Sequence, residues 1–163
     1  MFHEKIVCTY LYNISKYGYP PPADNTMQYL AEMAGMGFRS VELEGIREKH
    51  LLEVYERRHE ISSHLNKSGI NLPYFCAVLP GLTSLNEKEQ QKQFELFEKG
   101  CETAKLFKSK GILDNAPLPP FEFPENIPVT RHYDEEILSN VSLPKSLKWE
   151  YIWDHIVNTY QKR

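Results

Sequence analysis

Three junctions of one design constrain this chain more than any other feature. The segments "GMGF" (35–38), "KSGI" (67–70) and "KSKGI" (108–112) each close an amphipathic stretch with glycine and pass directly into an apolar run. Glycine just beyond a helix is the usual stop signal, because it takes a left-handed backbone without a Cβ clash. A strand-like run precedes each helical run, so the order reads βαβαβαβα. Such alternation specifies a parallel sheet with right-handed crossovers.

The strands are expected at Lys5–Leu11, Phe38–Gly45, Ile70–Gly81 and Ile112–Pro117. Between the first strand and the first long helix, "YNISKYGYPPPADN" reads as a loop from its Gly, Pro and Asn content. Asn25 or Thr26 caps a helix whose apolar residues are Met27, Leu30, Ala31 and Ala34. A second helix is expected from Glu48 to Lys67, with Leu51, Val54, Tyr55, Ile61 and Leu65 on one stripe and Glu56, Arg57, Arg58 and Glu60 outside. A third spans 86–108, with Phe94, Phe97, Cys101 and Ala104 as its stripe. Residues 115–143 carry five prolines and read as one long loop, a length usually reserved for function or disorder. In the closing helix, 146–161, the spacing of Trp149, Ile152, Trp153, Ile156 and Tyr160 reads as a core face.

With 163 residues, 41% of them apolar, the chain is long enough for a single domain with a real core. A net charge of -3 argues against a nucleic-acid surface. Three cysteines, Cys8, Cys76 and Cys101, form no close pair, which points to a reducing compartment rather than a disulfide framework. The opening "MFHEKIVCTY" lacks the apolar run of a signal peptide, and no run approaches membrane-spanning length, so the expected location is the cytoplasm without membrane partners.

In "VELEG", Val41 and Leu43 point to one side of a strand while Glu42 and Glu44 point to the other, roughly 7 Å apart. Interior strands of a doubly wound sheet are apolar on both faces. A strand with one acidic face suits a barrel wall, whose inner side carries polar groups toward the C-terminal end. The expected architecture is therefore α/β, a single (β/α)4 half-barrel domain over 1–163.

"GFRSVELEG", "KSGINLPYF" and "KGILDNAPLPPF" resemble, in order, the second, third and fourth strands of the xylose isomerase-like TIM barrels, a group of sugar isomerases and sugar phosphate isomerases/epimerases. The resemblance implies the N-terminal half of such a barrel, since a complete one takes about 250 residues. It also implies a sugar or sugar phosphate ligand and, for a complete member, a divalent metal, Mn or Mg. The ligands for that metal belong to later strands, so none is expected in this chain. Activity is then expected only of a complete barrel, closed by a C-terminal half or by a second copy. A binding or assembly module that dimerises through open sheet edges is the alternative, and an open flavodoxin-like sheet is a third.

Candidate substrate-binding residues are Tyr10, Glu42, Glu44, Asp114 and Asn115. Glu44, at the strand's C-terminal end, is placed for substrate contact. Glu42, deeper in the strand, suits a structural carboxylate paired to a cation such as Arg47. Tyr10 offers a ring to stack on a sugar or simply to pack beneath the first loop. Asp114 and Asn115 offer hydroxyl contacts or turn chemistry. No catalytic residue is assigned. The six histidines make no ligand pattern. His50, His59 and His64 are expected at the surface of the second helix, and His132 in "RHYDEE" reads as part of a surface turn, with a lid over a site as the alternative. Cys8 and Cys76 read as small buried hydrophobes.

Overall fold

The structure, a computed structural model, describes residues 6–114 and 145–161. The expected α/β class is what these residues form: a four-stranded, all-parallel sheet in the order β1-β2-β3-β4, flanked by helices. The strands are β1 (Val7–Cys8), β2 (Ser40–Ile46), β3 (Asn71–Val78) and β4 (Gly111–Asp114). The helices are α1 (Leu11–Tyr17), α2 (Thr26–Gly35), α3 (Arg47–Glu56), α4 (Arg58–Ser68), α5 (Glu87–Leu106) and α6 (Trp149–Gln161). The chain divides into two compact units, Met1–Leu79 with Lys92–Asn115, and Pro80–Gln91 with Ala116–Arg163. No helix among the described residues is long and apolar enough to cross a membrane.

The three junctions work by one hydrogen bond. Phe38 N–H donates to Met33 O at 3.2 Å, Ile70 N–H to Leu65 O at 3.1 Å and Ser109 N–H to Ala104 O at 2.9 Å. Each spans five residues, the closing bond of a helix C-terminus whose penultimate residue is left-handed. Gly37 (φ 96°) and Gly69 (φ 63°) fill that place in the first two. In the third, Lys108 fills it at φ 59°, and the glycine expected there, Gly111, opens β4 instead.

Neighbouring strand order with right-handed crossovers sends the connecting helices to one face of the sheet. The packing agrees. A Cβ at Gly45 would lie 2.3 Å from Leu51 Cδ1 of α3, and one at Gly100 of α5 would lie 3.2 Å from Ile112 Cδ1 and 3.5 Å from Ala77 Cβ. The core forms on that side, from Leu43, Phe75, Leu51, Ile61, Ala104 and Phe107. The α5 stripe is accordingly displaced from the expected one: Leu96, Gly100, Thr103 and Ala104 face inward, while Cys101 is exposed, because Gly100 is where the helix comes closest to the sheet.

Two elements differ from expectation near the site. The first strand shrinks to Val7–Cys8, and the Pro-rich loop begins with α1. The second helix breaks at Arg57, whose guanidinium donates to Ala23 O at 2.7 Å and also meets Glu60 at 3.1 Å and Asp24 at 3.6 Å. His50 is buried, not exposed as expected; its Nδ1 accepts the Ile46 N–H at 3.0 Å, and burial pushes its pKa down to about 4, so the ring is neutral. His59 is exposed and His64 half-buried.

In the second unit, α6 packs on the turn at Pro80–Thr83, and Ile152 and Leu82 are both buried. Gln90 Nε2 donates to Thr159 Oγ1 and to Leu82 O, both at 3.2 Å. The expected aromatic core face is mostly outside: Trp149 and Trp153 are more than half exposed and Tyr160 is exposed too. The buried seam runs through Ile152 and Thr159, so Thr159 and its Gln90 partner take the place that the aromatic pattern would claim.

Candidate functional site

The sheet face away from the helices carries Glu42, Glu44 and Ile46 of β2. Beside them in register stand Tyr74, Cys76 and Val78 of β3. Its two halves differ. Toward the N-terminal ends of the strands Tyr74 is exposed and Glu42 is half-buried, and at the β4 edge Leu113, in register with Cys76, is exposed as well. Toward the C-terminal ends, Tyr10, Ile14, Ile46, Cys76 and Val78 form a closed apolar cluster with Tyr19 packed against it. Helix α1 supplies that closure.

Glu44 lies within the closed half, 3% exposed. Asn13 of α1, wholly buried, places its Nδ2 at 3.4 and 3.3 Å from the two carboxyl oxygens. Burial pushes the carboxyl up to about 8, against the smaller pull of the Asn13 amide, and the neighbouring Glu42 charge adds to the rise. At neutral pH Glu44 is therefore largely the neutral acid. Asn13 Oδ1 finds no hydrogen-bond partner, a costly state for a buried carbonyl. Beside Glu44, burial pushes the Cys76 thiol up to about 12, a contact with Tyr10 opposing, so this sulfur is a protonated, inert hydrophobe at ordinary pH. Burial and the Glu42 charge raise Cys8 as well.

The expected residues divide as follows. Tyr10, 7% exposed, ends the β1 region and begins α1; its backbone N–H donates to Glu42 Oε2 at 3.4 Å. Glu42 thus serves the start of α1, whereas the Arg47 guanidinium sits over the Tyr19 ring, 5.8 Å from its centre. Glu42, Glu44 and Tyr10 come together. Asp114 ends β4 in register with Ala77, on the helix-covered side, although its charge still reaches Cys76. Asn115, His132 and the Pro-rich stretch lie outside the described residues.

Sequence reasoning missed Asn13 and Glu32. Glu32 of α2 collects three groups from α1 on one carboxylate oxygen: Lys16 Nζ at 2.7 Å, Tyr17 OH at 2.5 Å and Tyr12 OH at 3.2 Å. The Lys16 ammonium, then the Tyr17 hydroxyl, pull its pKa down to about 2, and Lys16 is raised in return. Tyr17 also stacks on Tyr29 of α2, centres 4.4 Å apart. The signal was available as spacing: Tyr10, Asn13, Ile14 and Tyr17 share one helical face, which glycine and proline downstream obscured.

Among the described residues no three His, Cys, Asp or Glu side chains come together to hold a metal ion. The described residues do not fit a divalent cation. The hollow lined by Ser62, Asn66, Leu72, Lys108 and Lys110 opens at the opposite, N-terminal ends of the strands, the end of a barrel given to stability rather than ligands. A scan against protein-family models finds no match to this sequence, and a search of curated proteins finds none.

Proposed function

We propose that these βα units are a substrate-facing wall of a sugar isomerase- or epimerase-like barrel. The observation that carries the reading is the neighbouring strand order with helices on one face and acidic residues on the other. A doubly wound, flavodoxin-like sheet reverses its strand order at a switch point and covers both faces; among the described residues this sheet does not reverse, and its acidic face is covered only at the C-terminal end, by α1. The four strands of the described residues do not close a barrel, which takes about eight, so in this reading further strands complete the enclosure. In this reading a polyhydroxylated ligand sits at the C-terminal ends, with Tyr10 and Glu44 among its neighbours, and a divalent metal, where the reaction needs one, is held by those further strands. Residues 1–163 then bind without turning over. The test is a panel of keto sugars and sugar phosphates with Mn²⁺ or Mg²⁺ added; no isomerised product is expected, and turnover by the 163-residue protein overturns the assignment. Binding is read separately by ligand-detected NMR, where contact from the same panel supports the wall and its absence for every sugar removes it.

A second reading is favoured by the exposed Tyr74 and Leu113 on the open face and by the outer edge of β4, which pairs with no strand among the described residues. Open parallel edges invite association. A protein that serves assembly is a discrete dimer by light scattering and shows no sugar contacts; a monomer that binds sugar leaves only the first reading.

A further inference from the structure

Helix α1 is held at two carboxylates that stand in opposite states. Outside, ionised Glu32 gathers Lys16, Tyr12 and Tyr17 at the surface. Inside, Asn13 reaches the sealed Glu44 and leaves its own Oδ1 unpartnered. The helix is only seven residues long, has no side-chain N-cap, and ends at Gly18 with φ 99°. Little of its hold is intrinsic, because so short a helix is marginal without tertiary contacts. Lifting it would hydrate both the orphaned carbonyl and the acid beneath, so the seated state is poised against an open one.

We propose that α1 is a strap across the C-terminal mouth of the strands, fastened by Glu32 outside and by the Asn13–Glu44 pair inside, and that its release uncovers Glu44 and Cys76. The groups around Glu44 give the release a direction with pH. Glu42 is on its own strand, Tyr10 and Cys8 are at β1, Cys76 is on β3 and Tyr29 is on α2, while Asp114 of β4 acts on Cys76. The one charge that acts on Glu44 among these is the Glu42 carboxylate, so ionising Glu44 puts a second negative charge under the strap with no cation among these described groups to meet it. Alkali opens the strap. Acid acts only near pH 2, where Glu32 is protonated. The inference concerns access to the mouth and holds whichever ligand the mouth takes.

Cysteine labelling tests it within one molecule. Cys101 is exposed and Cys76 is 1% exposed. Iodoacetamide modification is followed by peptide mass spectrometry, and the Cys76 rate is divided by the Cys101 rate in the same sample, which corrects for reagent concentration and decay. The ratio should be small at pH 7 and climb as pH passes about 8. Glu32→Gln and Lys16→Gln should each raise it about tenfold at pH 7, as expected for lost charge-assisted hydrogen bonds. Glu44→Gln, which keeps the shape but cannot ionise, should flatten the climb. Deuterium uptake at 11–17 should precede uptake at 71–78. If Cys76 reacts only at the rate of global unfolding, if both outer variants leave the ratio unchanged, or if Glu44→Gln keeps the same climb, the strap is overturned.

Discussion

Glu44 makes the stability of this protein depend on pH in a direction unusual for a carboxylate. Its folded pKa, about 8, lies above the unfolded value of 4.5. Between those values the folded state holds a proton that the unfolded state has lost, so stability falls as pH rises through the window. The full effect is on the order of a few kcal/mol. Urea midpoints measured from pH 6.5 to 8.5 should decline for the natural protein and stay nearly level for Glu44→Gln; below about 6.5 the buried neutral His50 opposes the trend, because the unfolded ring takes a proton that the folded one refuses. A neighbouring residue carries a steric lesson. Gly45 leaves no room for a methyl group, since its Cβ would fall 2.3 Å from Leu51 Cδ1 and 3.1 Å from Phe75 Cζ, both fully buried side chains. Gly45→Ala should lower stability by about 1–3 kcal/mol, measured by urea unfolding. The acidic face was legible from alternation in "VELEG". The sealing of Glu44 was not, because alternation says which side a residue faces and nothing about what lies across it.

At the scale of elements, the junctions were the most readable part of the chain. Two of the three left-handed positions are glycine as expected; the third is Lys108, hidden because "KSKG" offers a glycine three residues further on that serves β4. A lysine there bears roughly 1–2 kcal/mol of steric cost, partly offset because glycine would loosen the unfolded chain. Lys108→Gly should therefore stabilise by about 0.5–1 kcal/mol, seen as a higher urea midpoint. The break at Arg57 left no trace of glycine or proline. It rests on tertiary bonds from a guanidinium to Ala23 O and two carboxylates. Arg57→Ala should cost about 1 kcal/mol by the same measurement, through the lost bond to Ala23 O and the two carboxylates; that carbonyl keeps the Thr26 N–H and hydroxyl as donors. The aromatic spacing in α6 misled for a related reason: a helix shows several stripes, and packing at Ile152 and Thr159 selected one that the large residues do not share.

For the whole molecule, the α/β class and the parallel order follow from alternation alone, while the use to which the mouth is put does not. The sugar ligand proposed above is suggested by a resemblance in sequence, and the structure shows a buried acid toward the C-terminal end of β2. Three features needed coordinates because they join residues far apart in sequence: Glu44 under Asn13, Glu42 at the start of α1, and Glu32 holding α1.

Strand order has one more consequence. Every strand of the sheet lies beside the one that precedes it in the chain, so none must wait for a later partner. As the chain leaves the ribosome, each new βα unit meets a template already synthesised, and the sheet can grow one unit at a time in the direction of translation.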